Sequence, residues 1–190
     1  MEKLKRLLPT LALIVLAAAS GIVLQQLEDS PLKVDADTNE TPDFFMENFT
    51  SVVMDLDGKP LRELQAKRMD HYPDTKTRHL TSPYLILNYP DRPSWHVRSE
   101  RGWIYESGLV VLLGPVHAWR NTITGERAID IHTRDMRILP DKEFGETDEH
   151  VTITTQSQQS TGMGMRAYLA EDRLELMARV ATEVTGHITK

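Results

Sequence analysis

From Phe44 onward the chain alternates apolar and polar residues with a period of two, and this pattern limits it to a β-rich domain. Trp95, Val97 and Ser99 alternate with His96, Arg98 and Glu100. Ile129, Ile131 and Thr133 alternate with Asp130, His132 and Arg134, and Val151, Ile153 and Thr155 with Thr152 and Thr154. Successive side chains of a strand point to opposite faces, so this spacing, with β-branched and aromatic residues, predicts half-buried strands. Asp57-Gly58, Glu106-Ser107-Gly108 and Thr124-Gly125 supply turns between the runs. Pro90, Asp91 and Pro93 mark a further loop, and the acidic stretch 141–150, with Gly145, reads as a longer one. No strand–helix–strand alternation occurs, so the expected sheet is antiparallel.

Two stretches pull both ways. Residues 61–71 and 166–183 are rich in Leu, Ala, Glu, Arg and Met, which favour helix. Leu174, Leu176, Ala178 and Val180 nevertheless alternate against Arg173, Glu175 and Arg179. Propensity yields readily to context, so both stretches are read as strands. A weak internal repeat agrees: Val110-x-Leu112-x-Gly114-x-Val116 returns as Leu174-x-Leu176-x-Ala178-x-Val180. Gly162-Met163-Gly164 is too short for a dinucleotide fingerprint and reads as a loop.

The N-terminus follows a different rule. Residues 7–24 carry no charge, and at about 1.5 Å per residue they span roughly 27 Å, enough to cross a bilayer core. Lys3, Lys5 and Arg6 precede them and acidic residues follow, which orients the N-terminus toward the cytoplasm. The alternative is a cleaved signal peptide ending near Ala17-Ala18-Ala19; the apolar run continues past that point through Gly21-Ile22-Val23-Leu24. Ala17, Ala18 and Gly21 form a small-residue patch suited to docking on another membrane helix. The expected organisation is a cytoplasmic tip (1–6), an anchor helix (7–24), a polar linker (25–43), a β domain (44–184) and a tail (185–190).

Charge and composition exclude several functions. Residues 1–27 carry three bases against Glu2, leaving 19 basic and 27 acidic residues beyond them. An acidic domain does not suit nucleic-acid binding. There is no cysteine, hence no disulfide, thiolate metal site or cysteine nucleophile. The seven histidines form neither HExxH nor HxH, and no P-loop or nucleophile elbow is present. No catalytic residue, cofactor or metal is expected, and the chain is not read as an enzyme.

Taken together, a basic tip, one apolar helix, a polar linker and a repetitive β domain resemble the LptC family of lipopolysaccharide export proteins. The local matches are Asp57-Gly58, Pro93-x-Trp95-x-Val97, Leu112-x-Gly114-x-Val116 and Ser160-x-Gly162-x-x-Met165-Arg166. The resemblance implies an open, twisted antiparallel β-jellyroll of two sheets, similar to the OstA/LptA fold, behind a single-pass inner-membrane anchor, with the domain in the periplasm. It implies a non-catalytic relay that receives lipopolysaccharide from an ABC transporter (LptF and LptG with LptB) and passes it to LptA.

An acyl chain of a dozen methylenes costs roughly 10 kcal/mol to expose to water, so such a relay needs an apolar groove. The inward strand positions Phe49, Val53, Leu80, Leu85, Val97, Leu112, Ile131, Met165 and Leu174 are the candidates. The resemblance adds weight to Phe49, Leu80 and Leu174. It also places LptA at a C-terminal edge containing Leu176, Val180 and Val184, and LptF/LptG at the N-terminal edge and membrane helix. The alternative is an anchored adaptor that binds partner proteins by its strand edges and never touches lipid.

Overall fold

The computed structural model describes residues 41–184. The expected tip, anchor and tail, residues 25–40 of the linker, and Ala17, Ala18 and Gly21 lie outside them. No helix among the described residues is long and apolar enough to cross a membrane.

Ten strands follow in order: β1 (Phe44–Met54), β2 (Pro60–Tyr72), β3 (Thr77–Thr81), β4 (Tyr84–Leu87), β5 (Trp95–Tyr105), β6 (Val110–Asn121), β7 (Arg127–Leu139), β8 (Phe144–Thr155), β9 (Gln158–Tyr168) and β10 (Arg173–Val184). They form one antiparallel sheet that begins at β1 and ends at β10, with β3 and β4 both lying between β2 and β5. Three hairpins use the same reversal, in which Gly58, Gly108 or Gly125 donates its N–H to the residue three before it. Each of these glycines has φ between 76° and 91°, the left-handed backbone that follows a type I turn in a short hairpin. The two ambiguous stretches are extended: 61–71 lies within β2, and 166–183 holds the end of β9, a turn at 169–172 and most of β10, where Leu174–Val180 alternate.

A crease crosses the strands near their middles. Asn48 in β1, Ser82 between β3 and β4, Gly114 in β6, Asp135 in β7, Gly164 in β9 and Arg179 in β10 all have positive φ. Register breaks accompany it at Ser99/Arg101, Leu112/Pro115, His132/Arg137, Thr147/His150 and Ala178/Ala181. A bulge bends its strand and can exchange which side chains face inward. Ile131 and Thr133 are buried before the crease in β7, whereas Met136 and Ile138 are buried after it. One half-sheet therefore contains β4 and Trp95–Ser99; the other contains β3 and Arg101–Tyr105.

The expected two layers are thus the two halves of one continuous sheet folded at that crease. Side chains from both halves meet in a single cluster that includes Leu87, Trp95, Val97 and Ile131 from one half and Ile138, Met165 and Ala167 from the other. A smaller cluster of Ala66, Met69 and Leu80, with Phe49 and Leu64 against it, lies under the first strands; Ile104 packs on both clusters.

Three expectations need correction. The acidic stretch 141–150 is not a long loop: a 3₁₀ turn (Pro140–Lys142) leads directly into β8. Its alternation was masked by charge, for Gly145 and Thr147 are buried while Glu146 and Asp148 reach Arg137 on the solvent face at 3.0 and 2.8 Å. Residues Gly162–Gly164 lie inside β9, with Gly164 at the crease, not in a loop. In the internal repeat, Gly114 is left-handed, but in the second copy that conformation falls on Arg179, one residue beyond Ala178.

Candidate functional site

The space between the half-sheets is apolar and narrow. Leu87, Trp95, Val97, Ala118 and Ile131 face Met136, Ile138, Gly145, Met165, Ala167, Leu169 and Leu174 across a cavity of about 20 Å³. That is room for roughly one water-sized sphere, far less than an acyl chain. The faces meet because interdigitated side chains gain dispersion contacts that a standing gap would forfeit. The two faces expected to border an apolar groove therefore pack against each other in this structure. A larger cavity of about 140 Å³ shares Leu87 with this interior and has a polar rim of Arg62, Tyr89, Asp141 and Glu143. Arg62 pairs with Asp141 at 2.6 Å, and burial followed by the nearby Glu143 charge pushes the Tyr89 phenol up to about 12.

At its two ends the sheet is exposed. Neither β1 nor β10 has a second neighbour among the described strands. Phe44, Phe45, Met46, Val52, Val53 and Met54 are exposed on β1. On β10, Met177, Val180 and Val184 are exposed, while Leu174 and Leu176 lean against the core. A long exposed apolar edge is a template for another strand and is normally guarded; this sheet has one at each end.

The opposite, solvent-facing side of β4–β7 carries a row of rings. Tyr84, His96, Trp119, His117 and His132 stack in turn, with centroids 4.4–5.9 Å apart. Arg98 and Arg127 lie over Trp119 at 4.7 and 5.0 Å and bury it although it points away from the core. The Tyr84 hydroxyl sits 2.7 Å from His96 Nδ1. Burial, then the charges of Arg127 and Arg98, lowers the His96 pKa below its ordinary value. At the end of the row, His117 Nε2 is 3.0 Å from both Asp130 oxygens and His132 Nε2 is 2.8 Å from Oδ1. Burial alone would raise the Asp130 carboxyl. The His117 hydrogen bond and the charges of His117, His132 and Arg127 outweigh it and hold the carboxyl below the ordinary range.

Comparison with known families matches residues 11–185 to the family described as lipopolysaccharide-assembly, LptC-related. The chain belongs to the LptC family. The lipopolysaccharide export system protein LptC of Escherichia coli (strain K12) is 22% identical over 191 aligned residues, covering 96% of this chain and 94% of that protein. The proteins of the same name from Escherichia coli O157:H7 and Shigella flexneri align with the same identity and coverage. Membership gives the chain a part in lipopolysaccharide assembly, as a component of transport machinery and not as a member of a catalytic family.

Within this LptC-family domain, the nine candidate groove residues do not form one set. Leu85, Val97, Leu112, Ile131 and Met165 share the main buried cluster, and Leu174 packs against it. Leu80 and Phe49 belong to the smaller cluster, and Val53 is 45% exposed on the edge strand. Sequence reasoning missed Leu87, Trp95, Ala118, Met136, Ile138, Ala167 and Leu169. Trp95 and Leu87 were legible as the inward partners of Val97 and Leu85. Met136 and Ile138 were not, because the bend at Asp135 exchanges the inward parity. The histidine–aspartate cluster was missed because its members sit on two strands. Half of the signal was there, since Asp130 and His132 are two apart on β7 and so share a face; that His117 stands directly opposite His132 is a fact of register.

Proposed function

We propose that the chain is a non-catalytic lipopolysaccharide relay at the inner membrane. It takes lipid at the β1 edge from an ABC transporter of the LptF/LptG/LptB kind and gives it up at the β10 edge to an LptA-like strand partner. One observation carries this reading: a continuous apolar inner face runs between two unpaired, apolar edge strands. A partner strand added at either edge would prolong the same inner face across the junction. Hydrocarbon entering from an edge replaces one apolar contact with another, so opening the seam requires little desolvation of polar groups. The uncharged segment 7–24 serves as the anchor holding the domain beside the transporter, with Ala17, Ala18 and Gly21 in the helix contact. Energy comes from the transporter, because the chain carries no nucleotide-binding motif.

The narrowness of the interior favours a second reading, an adaptor that joins protein partners by its edges without holding lipid. Reconstituted transport separates the two. Leu174→Glu is expected to lower lipid loading of the domain. A Val180→Asp/Val184→Asp double variant is expected to load normally but fail to pass lipid to the partner. Unimpaired loading and transfer in both variants would refute the relay.

A further inference from the structure

The outer-face cluster of His117, Asp130 and His132 is remote from the apolar interior, and nothing in lipid transfer requires it. Its ligand atoms all lie within 4.8 Å of one another. We propose that these three side chains form a binding site for a borderline transition-metal ion such as Zn²⁺, with two imidazole nitrogens and one carboxylate oxygen as ligands.

The scaffold supports this reading. His117 and His132 are directly paired across β6 and β7, and Asp130 lies two residues from His132 on the same face. Ala118 and Ile131, the intervening residues on the core side, are buried, so the backbone carrying the cluster is fixed. His117 Nε2 hydrogen-bonds to the Asp130 carboxylate, which can only accept, so this nitrogen carries the proton that a metal ion would replace, and His132 Nε2 comes within 2.8 Å of Oδ1 of the same carboxylate. Bonds of about 2.0–2.1 Å at tetrahedral angles put neighbouring ligand atoms roughly 3.4 Å apart. The observed 2.8 and 3.0 Å separations need to widen by only a few tenths of an ångström.

The rings must move as well. They lie within 5° of parallel at 4.4 Å, and nitrogen lone pairs in parallel planes do not converge on one point. Binding must fan the stack open, and His132, whose side chain is 62% exposed, has solvent to turn into. Arg127 also pairs with the carboxylate, with Nε 3.1 Å from Oδ2. Its charge offsets that of Asp130, so affinity must come from the imidazoles. That selects Zn²⁺, Ni²⁺ or Cu²⁺ over Ca²⁺ and Mg²⁺, which require several oxygen ligands. Three protein ligands leave a position for water or a fourth donor.

The test uses the full chain in detergent, prepared without a polyhistidine tag, titrated with Zn²⁺ by calorimetry and with Co²⁺ by visible absorption. One ion per chain is expected. His132→Gln, His117→Gln and Asp130→Asn should each weaken it about tenfold or more, while His150→Gln and added Ca²⁺ leave it unchanged. His132→Gln alters an exposed side chain, so its unfolding temperature without metal should match the parent and exclude misfolding. Absence of saturable Zn²⁺ binding, or binding that His132→Gln leaves intact, would overturn the proposal.

Discussion

Truncating Ile131 to alanine measures how firmly the two half-sheets are packed together. Ile131 is 1% exposed and lines the narrow cavity between the halves. Ile131→Ala removes three carbons, worth about 2.4 kcal/mol at about 0.8 kcal/mol each, and leaves a void that raises the total toward 3–4 kcal/mol. The described domain that holds the sheet spans residues 41–184. At about 2.1 cal/mol/K per residue its unfolding entropy is roughly 0.3 kcal/mol/K, so the melting temperature should fall by about 10 °C. Urea titration should show a lower midpoint with an unchanged slope. Val184→Ala, at a position 76% exposed, should stay within about 0.5 kcal/mol of the parent. A loss below about 1 kcal/mol for Ile131→Ala would mean that the halves do not meet there, and the narrow interior described above would be wrong.

Other expectations concern the crease and the outer face. Gly114 has φ of 78°, and an added Cβ would find its nearest neighbour, Glu100 Oε2, 4.0 Å away; Gly114→Ala should therefore cost only backbone strain, about 1–2 kcal/mol by urea titration, and no loss would show that the crease relaxes freely. The lowered His96 pKa means that the folded state favours the neutral ring. Its contribution to stability is fully present above the unfolded value near 6.5 and is lost as pH falls through the folded value. Asp130, also lowered, adds a loss in the same direction at more acidic pH. The melting temperature should fall between pH 7.5 and 5.5, and by less in His96→Gln; an equal fall in both would remove His96 from that dependence.

What the sequence made legible, and what it hid, follows from range. Alternation such as Trp95–Val97 and Ile129–Ile131 is local, so strands and inward faces could be read directly. It even overrode helix propensity at Leu174–Val180. The crease is a set of single-residue events at Asn48, Ser82, Asp135 and Arg179, residue types that do not announce a left-handed backbone as glycine does. Charge concealed β8, because Glu146 and Asp148 look like loop residues until Arg137 is placed beside them. The interior set and the His117–Asp130–His132 cluster depend on register between strands, which one sequence with no pairing information leaves open.

The central claim is that hydrocarbon passes along the inner face by parting two apolar half-sheets. Photo-crosslinking residues placed singly at Phe49, Ile131 and Leu174 in the full chain, with Thr154 on the outer face as control, test it in cells making lipopolysaccharide. The account predicts lipid adducts at all three inner positions, dependent on the transporter's ATP hydrolysis, and none at Thr154. Adducts to protein alone at Phe49 and Leu174, with none of any kind at Ile131, would contradict it and leave the adaptor reading in its place.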